Sequence, residues 1–521
     1  MIDDFREPAV GTDHTADVCI VGAGPAGIAI ASRLMGTGTS VLLVESGGLD
    51  DDGGAGRLNQ GHVVGLGLGL EQGRSRVFGG TGTVWPGQCI RLDPSDFAVR
   101  SWVPDSGWPI AAEAVTPFYE RAEAWLGIPA KASDEQAWRR FGLVPAAFDD
   151  ALLTHKASVY SPRPDVGEVH RRSFARSPEV RVLLHATAAT IRTNERATAA
   201  TELEIRSLNG RVGRVRARRF VLCAGGIENA RLLLLSGLGN RHDVVGRYLQ
   251  EHPTIWADVE TDDLTALQRF YGLLGRGKVR YLPKIGLSCE TQRRQEVLNA
   301  SATVIYDQQE SPGLAAAREI SSALQQRRRP RVSRTELRDA LGEVDRVATA
   351  GFRRFARGRP SPAPVTRTRL KILVEQAPDP QSRVLLSSQR DELGLPQVCV
   401  DWRLSALERR TTRVFTDVMD AELRRLGLGS VVGTEWLDGD DWTSGFEDAY
   451  HPMGTTRMST DPTKGVVDGD CRVHGVDGLY VCGSSVFPTS GYANPTLTLV
   501  ALALRLADHL AATPGQAPSW T

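Results

Sequence analysis

Residues 17–48, DVCIVGAGPAGIAIASRLMGTGTSVLLVESGG, limit what this chain can fold into more than any other stretch. An apolar, β-branched run at Val18, Ile20 and Val21 enters the turn Gly22-Ala23-Gly24-Pro25-Ala26-Gly27, and an Ala/Ile/Leu-rich helix follows to about Met35. A second buried strand, 41–44, ends in Glu45 and Ser46. This order of strand, glycine turn, helix, strand and acid binds a dinucleotide. Gly22 permits the tight turn, Gly24 lets backbone approach a pyrophosphate, and Gly27 lets the helix pack closely on the strand. The free N–H groups at the helix start attract phosphates, and Glu45 is placed to accept hydrogen bonds from ribose hydroxyls. The motif alone does not separate FAD from NAD.

At 521 residues the chain is too long for one compact core, so two intimately joined domains are expected. Sixty-two basic and 62 acidic side chains cancel, which favours no polyanionic partner and no nucleic acid. The seven cysteines are scattered and never spaced as CxxC, arguing against a metal site or disulfide framework and for a reducing cytoplasm. Acidic residues rather than basic ones precede the first apolar run, so it is not a signal sequence. The apolar segment 496–507 is interrupted by Arg505, so no membrane span is expected.

A second glycine cluster lies at 77–87, VFGGTGTVWPG. Gly79, Gly80, Thr81, Gly82 and Thr83 are expected to lay backbone against a flat or charged ligand; the plain alternative is a surface loop. Trp85, Trp102 and Trp108 read as core or interface filler. Residues 111–178 look mostly helical and irregular, with helices near 117–126 and 134–141. Strand patterns return at 180–185, 187–193 (which holds Ala188), 201–206 and 214–218. A buried strand at 221–224 ends in Ala224, and Gly225-Gly226 turns it into an apolar helix, 227–235, a unit expected at another edge of the nucleotide domain. Residues 243–253 read as a loop leaving that domain.

Alternation at 279–287, 299–306, 370–375 and 384–387 predicts an antiparallel sheet within 254–440. A basic, Ala-rich helical segment, 314–357, interrupts it; its arginine run 327–331 is a solvated face or a docking surface for a partner or acidic lipid. A long amphipathic helix is expected over 405–426. Near the C-terminus, His451 sits beside Pro452, a strand at 478–482 leads to Gly483 and Ser484, and Asn494-Pro495-Thr496 opens a helix to about Leu510. Asn suits the N-cap and Pro the first helical position. The positive start of that helix would stabilise an electron-rich ring placed against it. A lone His is commonly structural, but its pKa range also suits general-base work.

Taken in order, Gly22 to Gly27 with Glu45, the Gly79–Thr83 loop, Val245-Gly246-Arg247 with Glu251-His252-Pro253, His451 with Gly454-Thr455-Thr456-Arg457-Met458, and Gly483 with Asn494-Pro495 resemble the glucose–methanol–choline (GMC) oxidoreductases. The subgroup most similar contains pyranose oxidases, C-glycoside 3-oxidases and bacterial sugar dehydrogenases. The resemblance implies an α/β fold, with a doubly wound, Rossmann-like FAD-binding domain and a second α+β substrate domain built on an antiparallel sheet. The FAD domain would comprise residues 1–100, 176–253 and 446–521, with a helical lid segment at 101–175 and the substrate domain at 254–445. Around the FAD the resemblance implies Ala188, Ala224, Gly225, Gly483, Ser484, Pro495 and Thr496 beside the residues of the two glycine loops. It gives His451 the role of base and Asn494 that of its partner. Flavinylated relatives carry a His near the position of Thr83-Val84-Trp85; none is present here, which implies non-covalent FAD.

The implied reaction is oxidation of a CH–OH group of a sugar, glycoside or polyol. His451 would take the hydroxyl proton as hydride passes to flavin N5, with O2 or another electron acceptor reoxidising the cofactor. Three alternatives stand beside it: a flavin-containing lyase resembling hydroxynitrile lyases, an NAD-linked dehydrogenase, and a nonenzymatic binding module. Anaerobic flavin bleaching by an alcohol separates the first, and the cofactor that copurifies separates the second. The sequence leaves the oligomeric state and the identity of the substrate open.

Overall fold

The computed structural model describes residues 1–129, 141–276, 279–308, 319 and 365–513. Three sheets organise them. The first is built on strand Asp13–Val21, whose last four residues are buried apolar side chains flanked on both sides by parallel strands. The strand order is Ile2–Asp4, Val180–Leu184, Val41–Val44, Asp13–Val21, Val212–Leu222, Ala200–Arg206 and Thr187–Thr193, with Leu479–Val481 also pairing to Val212–Leu222. Neighbours are parallel from Ile2–Asp4 to Val212–Leu222; Ala200–Arg206 and Thr187–Thr193 add an antiparallel extension. Buried parallel strands need apolar side chains on both faces, which Val41–Val44 and Val180–Leu184 supply.

The two strands expected at 214–218 and 221–224 are one, Val212–Leu222. Its outer half alternates exposed and buried residues and its inner half is buried throughout, so the pattern changes where one strand crosses from the sheet's rim to its centre. That strand is central, not at an edge, because Asp13–Val21 pairs along most of its length.

Helix Pro25–Leu34 packs against Thr496–Ala512, which in turn packs on Ala112–Trp125. Tyr119 Oη and Thr498 Oγ1 lie 2.8 Å apart, and Asp508 takes Arg33 at 2.7 Å and Arg121 at 2.5 Å. Ala112–Trp125 corresponds to the expected helix at 117–126 and starts five residues earlier, with Pro117 inside it. The helix expected at 134–141 falls, apart from Phe141, outside the described residues, as does the basic segment 314–357 but for residue 319.

The second sheet is antiparallel along its main path: Ser430–Val432, Thr254–Glu260, Val365–Val374, Ala300–Gln308, Val279–Leu287, Leu153–Tyr160 and Gln88–Cys89. Within 111–178, expected to be mostly helical and irregular, Leu153–Tyr160 is a strand. Between its buried Leu153 and Val159 the side chains of Thr154, His155, Lys156 and Ser158 are polar, so no apolar alternation marked it as a strand. Arg383–Arg390 leaves this sheet and joins Pro396–Asp401 and Gly61–Val63 in a third, small sheet. Helix Ala406–Arg425 starts at Ser405 in a capping box, with Glu408 Oε2 accepting from Ser405 N at 2.6 Å. No helix among the described residues is long and apolar enough to cross a membrane.

Candidate active site

Between the first and second sheets lies a cavity of about 610 Å³. Three helix starts converge on it: Gly24, Pro25 and Ala26; Ala224, Gly225 and Gly226; and Asn494, Pro495 and Thr496. Each presents unpaired backbone N–H groups and a positive dipole end.

The cradle requires glycine. At Gly22, with φ +101°, an added Cβ would lie 2.6 Å from the Cys223 carbonyl oxygen. At Gly27 it would lie 2.0 Å from the Gly22 oxygen, whereas at Gly24 it would meet nothing within 4 Å. Gly27 therefore closes the helix onto the strand, and Gly24 faces open space that a phosphate can fill. At Gly80 an added Cβ would lie 2.8 Å from Gly24 Cα, so the two glycine loops touch.

Glu45 is buried, and its carboxylate accepts from Ala23 N and Gly47 N, both at 2.9 Å. Burial raises its pKa against the pull of those bonds. Ser46 Oγ and Asn59 Oδ1 accept from Arg76 at 3.2 and 2.7 Å. Arg74 and Arg76 also close on Glu228 at 3.2 and 3.0 Å. Burial lowers Arg74 to about 10, while Glu228, buried among Arg76, Arg231 and Arg74, is drawn down to about 2.

Of the expected residues, Gly22, Gly24, Pro25, Ala26, Glu45, Ser46, Gly80, Thr81, Gly82, Ala188, Ala224, Gly225, Gly483, Ser484, Asn494, Pro495, Thr496 and His451 all line this one cavity. Gly27, Gly79 and Thr83 do not. Gly79 N donates to Ala23 O at 2.8 Å and Thr83 Oγ1 to Gly80 O at 2.9 Å, so these two shape the loop from behind. The sequence analysis did not single out Arg74, Arg76 or Glu228; the signal was the charged GRSR just before the second glycine cluster.

Two departures concern the C-terminal segment. Asn494 is not the N-cap: Pro495 is, with φ −71° and ψ −18°, and no side chain caps the helix. Starting at Thr496 rather than Pro495 leaves the Asn494 amide free, and its Oδ1 is buried with no hydrogen-bond partner among the described residues. Second, His451 is not alone. Its Nδ1 lies 2.9 Å from Nδ1 of His252, the rings edge to face at 82°.

Backbone register brings the two imidazoles together. Gln250 and Met453 form an antiparallel bridge with N···O distances of 3.0 and 2.8 Å, so His252, two residues on, opposes His451, two residues back. Behind them, Glu251 accepts from His252 N at 2.9 Å. Burial raises Glu251 to about 8 and lowers His252 to about 4. His451 is held well below its ordinary value of 6.5 by burial first, then by His252, Lys371 and Lys284. An imidazole so placed is neutral at physiological pH and ready to accept a proton.

Models of the GMC oxidoreductase family match residues 172–254 and 378–503, which hold His252, His451 and Asn494. The chain belongs to the GMC oxidoreductase family. It is 26% identical to paromamine 6'-oxidase of Streptomyces fradiae, over 96% of this chain and 92% of that one. Identity to 6'''-hydroxyparomomycin C oxidase of Streptomyces lividus is 25%, over 98% and 94% of the two chains. The crystal structure of formate oxidase superposes with a TM-score of 0.56 at 18% identity, covering 96% of this chain and 99% of that one. As a GMC oxidoreductase, the protein is an FAD enzyme with a Rossmann-like domain joined to an antiparallel sheet. The cradle fits that cofactor: Gly24 faces open space at a helix start, and Glu45 retains acceptor capacity toward the cavity.

Proposed function

We propose that the protein oxidises a CH–OH group of a sugar, glycoside or polyol to a carbonyl, with His451 as base. The observation that carries this reading is a neutral, buried imidazole fixed by a second imidazole at 2.9 Å, in the same cavity as the glycine cradle. Relatives named as oxidases of paromamine and of 6'''-hydroxyparomomycin C support the choice of substrate class.

The proposed N-terminal, middle and C-terminal segments 1–100, 176–253 and 446–521 hold the cofactor; 101–175 and 254–445 cover it and hold the substrate. FAD, when bound, supplies the two-electron acceptor for the hydride leaving the carbinol carbon. His451 acts from Nε2 in the tautomer whose Nδ1–H donates to His252 Nδ1, which keeps the Nε2 lone pair for the substrate proton. His252 is thus a positioning residue, setting ring angle and tautomer. Asn494, whose Oδ1 has no partner among the described residues, binds the alcohol through its amide and orients the C–H. The helix start at Pro495 and Thr496 favours negative charge developing beside it.

Anaerobic mixing with an alcohol substrate tests the reading. His451→Ala is expected to keep its FAD and slow flavin reduction about 10²–10⁴-fold. Unchanged reduction kinetics would remove His451 from the reaction.

A further inference from the structure

The side of the cavity opposite the glycine cradle is basic, and nothing in the reaction above uses that charge. Lys284 and Lys371 line the cavity from strands Val279–Leu287 and Val365–Val374. Thr303 pairs with Lys371, and one register step beyond the Ile285–Ala302 pair places Thr303 against Lys284. The two lysines and the threonine therefore form one row across the sheet, all on the face that lines the cavity.

Lys284 is only 2% exposed, yet no hydrogen bond or ion pair holds its ammonium among the described residues. The neighbouring charges are already engaged. Lys156, next in the row, is paired with Asp93 at 2.8 Å; Arg369 with Asp307 at 2.8 Å; and Arg100 with Glu375. Glu447 accepts from the Trp256 indole at 3.2 Å and attracts Lys371, which lies 5.6 Å from the centre of that ring. Of the two cavity lysines it is therefore Lys284 that has no carboxylate acting on it among the described residues. Among the described residues, the only carboxylates lining the cavity are Glu45 and Glu228, both on the cofactor side and both held by the contacts already described.

A buried ammonium without a counter-charge is costly, and two facing one cavity repel each other. Burial first, and then the repulsion of Lys371, draws Lys284 down to about 8. An anion between the two relieves both costs, and Thr303 adds a hydroxyl donor within the row.

We propose that Lys284, Lys371 and Thr303 form an anion subsite, and that the alcohol oxidised carries a carboxylate or phosphate group held there. The inference rests on the alcohol-oxidation reading for its substrate, but the subsite can be tested without turnover. Such a site favours sugar acids and sugar phosphates, and disfavours amino sugars, whose ammonium groups would meet two positive charges.

The experiment has two arms, both on FAD-loaded protein. In the first, oxidised holoenzyme is titrated with inorganic phosphate and with glutarate, neither of which has an alcohol to oxidise, and binding is read from the perturbation of flavin absorbance. Saturable binding is expected, weakened about tenfold or more in Lys284→Met and in Lys371→Met and partly restored in Lys284→Arg. Retained flavin content identifies folded variants. Binding that is absent, or that the lysine variants leave unmoved while the flavin potential shifts, overturns the subsite.

In the second arm, anaerobic bleaching compares D-gluconate and D-glucose 6-phosphate with D-sorbitol and D-glucosamine. The acids are expected to bleach at concentrations about tenfold lower than sorbitol, with glucosamine poorest, and the acid-to-neutral ratio to collapse in Lys284→Met. Which acid wins separates carboxylate from phosphate. An acid-to-neutral ratio near one in the wild-type protein overturns the substrate assignment, whereas bleaching by no alcohol overturns the oxidation reading itself.

Discussion

At the residue scale, the pair His252 and His451 decides how the proposed base behaves with pH. Burial and three nearby bases, His252, Lys371 and Lys284, all oppose a proton on His451. The sign follows directly. A base must be unprotonated to work, and a pKa held below 6.5 keeps it unprotonated to lower pH than a free imidazole. Flavin reduction is therefore expected to stay level from neutral pH down past 6.5 and to fall only below it. A stopped-flow pH profile with its acid limb at or above 6.5 would contradict the assignment. As negative charge develops in the cavity during hydride departure, the proton affinity of His451 rises, so the resting value does not forbid transfer. The sequence assigned His451 a role and named His252 only within the motif Glu251-His252-Pro253; that motif lies in a loop of no regular periodicity, and only the bridge between Gln250 and Met453 reveals that the rings meet.

At the scale of elements, the strand–turn–helix units were legible because each carries its own local signature. Asp13–Val21, Pro25–Leu34 and Val41–Val44 follow from apolar runs, glycines and a closing acid that sit within a few dozen residues. Helix Gly225–Ser236 was equally plain, since two glycines mark its start. Leu153–Tyr160 was not, because Leu153 and Val159 join the apolar core but the residues between them, Thr154, His155, Lys156 and Ser158, are polar. Tertiary pairing, which no local pattern encodes, makes it a strand.

One contact couples an element to the chemistry. A Cβ added at Gly226 would lie 2.1 Å from the Pro452 carbonyl oxygen, on the residue next to His451. Thr455 Oγ1 also donates to the Gly226 oxygen, so the helix start and the histidine strap are tied on both sides. Gly226→Ala is expected to displace the strap, slowing flavin reduction about 10²-fold while FAD stays bound. Stopped-flow reduction together with the flavin-to-protein absorbance ratio checks this; an unaltered rate would mean that the strap tolerates the shift.

For the whole molecule, the cofactor cavity is lined by residues from three widely separated parts of the chain and by both large sheets. The loop nearest to the expected attachment position, Thr81 to Trp85, contributes Thr81, Gly82, Val84 and Trp85 to the wall, and none can form a bond to a flavin carbon as a His does. FAD held without such a bond would depend on the fold alone. Acid precipitation is thus expected to leave a colourless pellet and a yellow supernatant; colour remaining in the pellet would show a covalent link. The proposed boundaries between cofactor and substrate segments rest on glycine turns and changes of periodicity. The small third sheet, which pairs Gly61–Val63 with Pro396–Asp401 across more than half of the chain, carried no such mark.

The bridge between Gln250 and Met453 also orders events in time. His252 and His451 are 199 residues apart, and the strap bearing the latter hydrogen-bonds to Ser484, Ser485 and Val486, just after Leu479–Val481 has paired with the central strand. A nascent chain can assemble much of its glycine cradle long before its proton acceptor exists. Reactivity is thus switched on only as the final segment of the polypeptide threads home, after the pocket around it has begun to take shape.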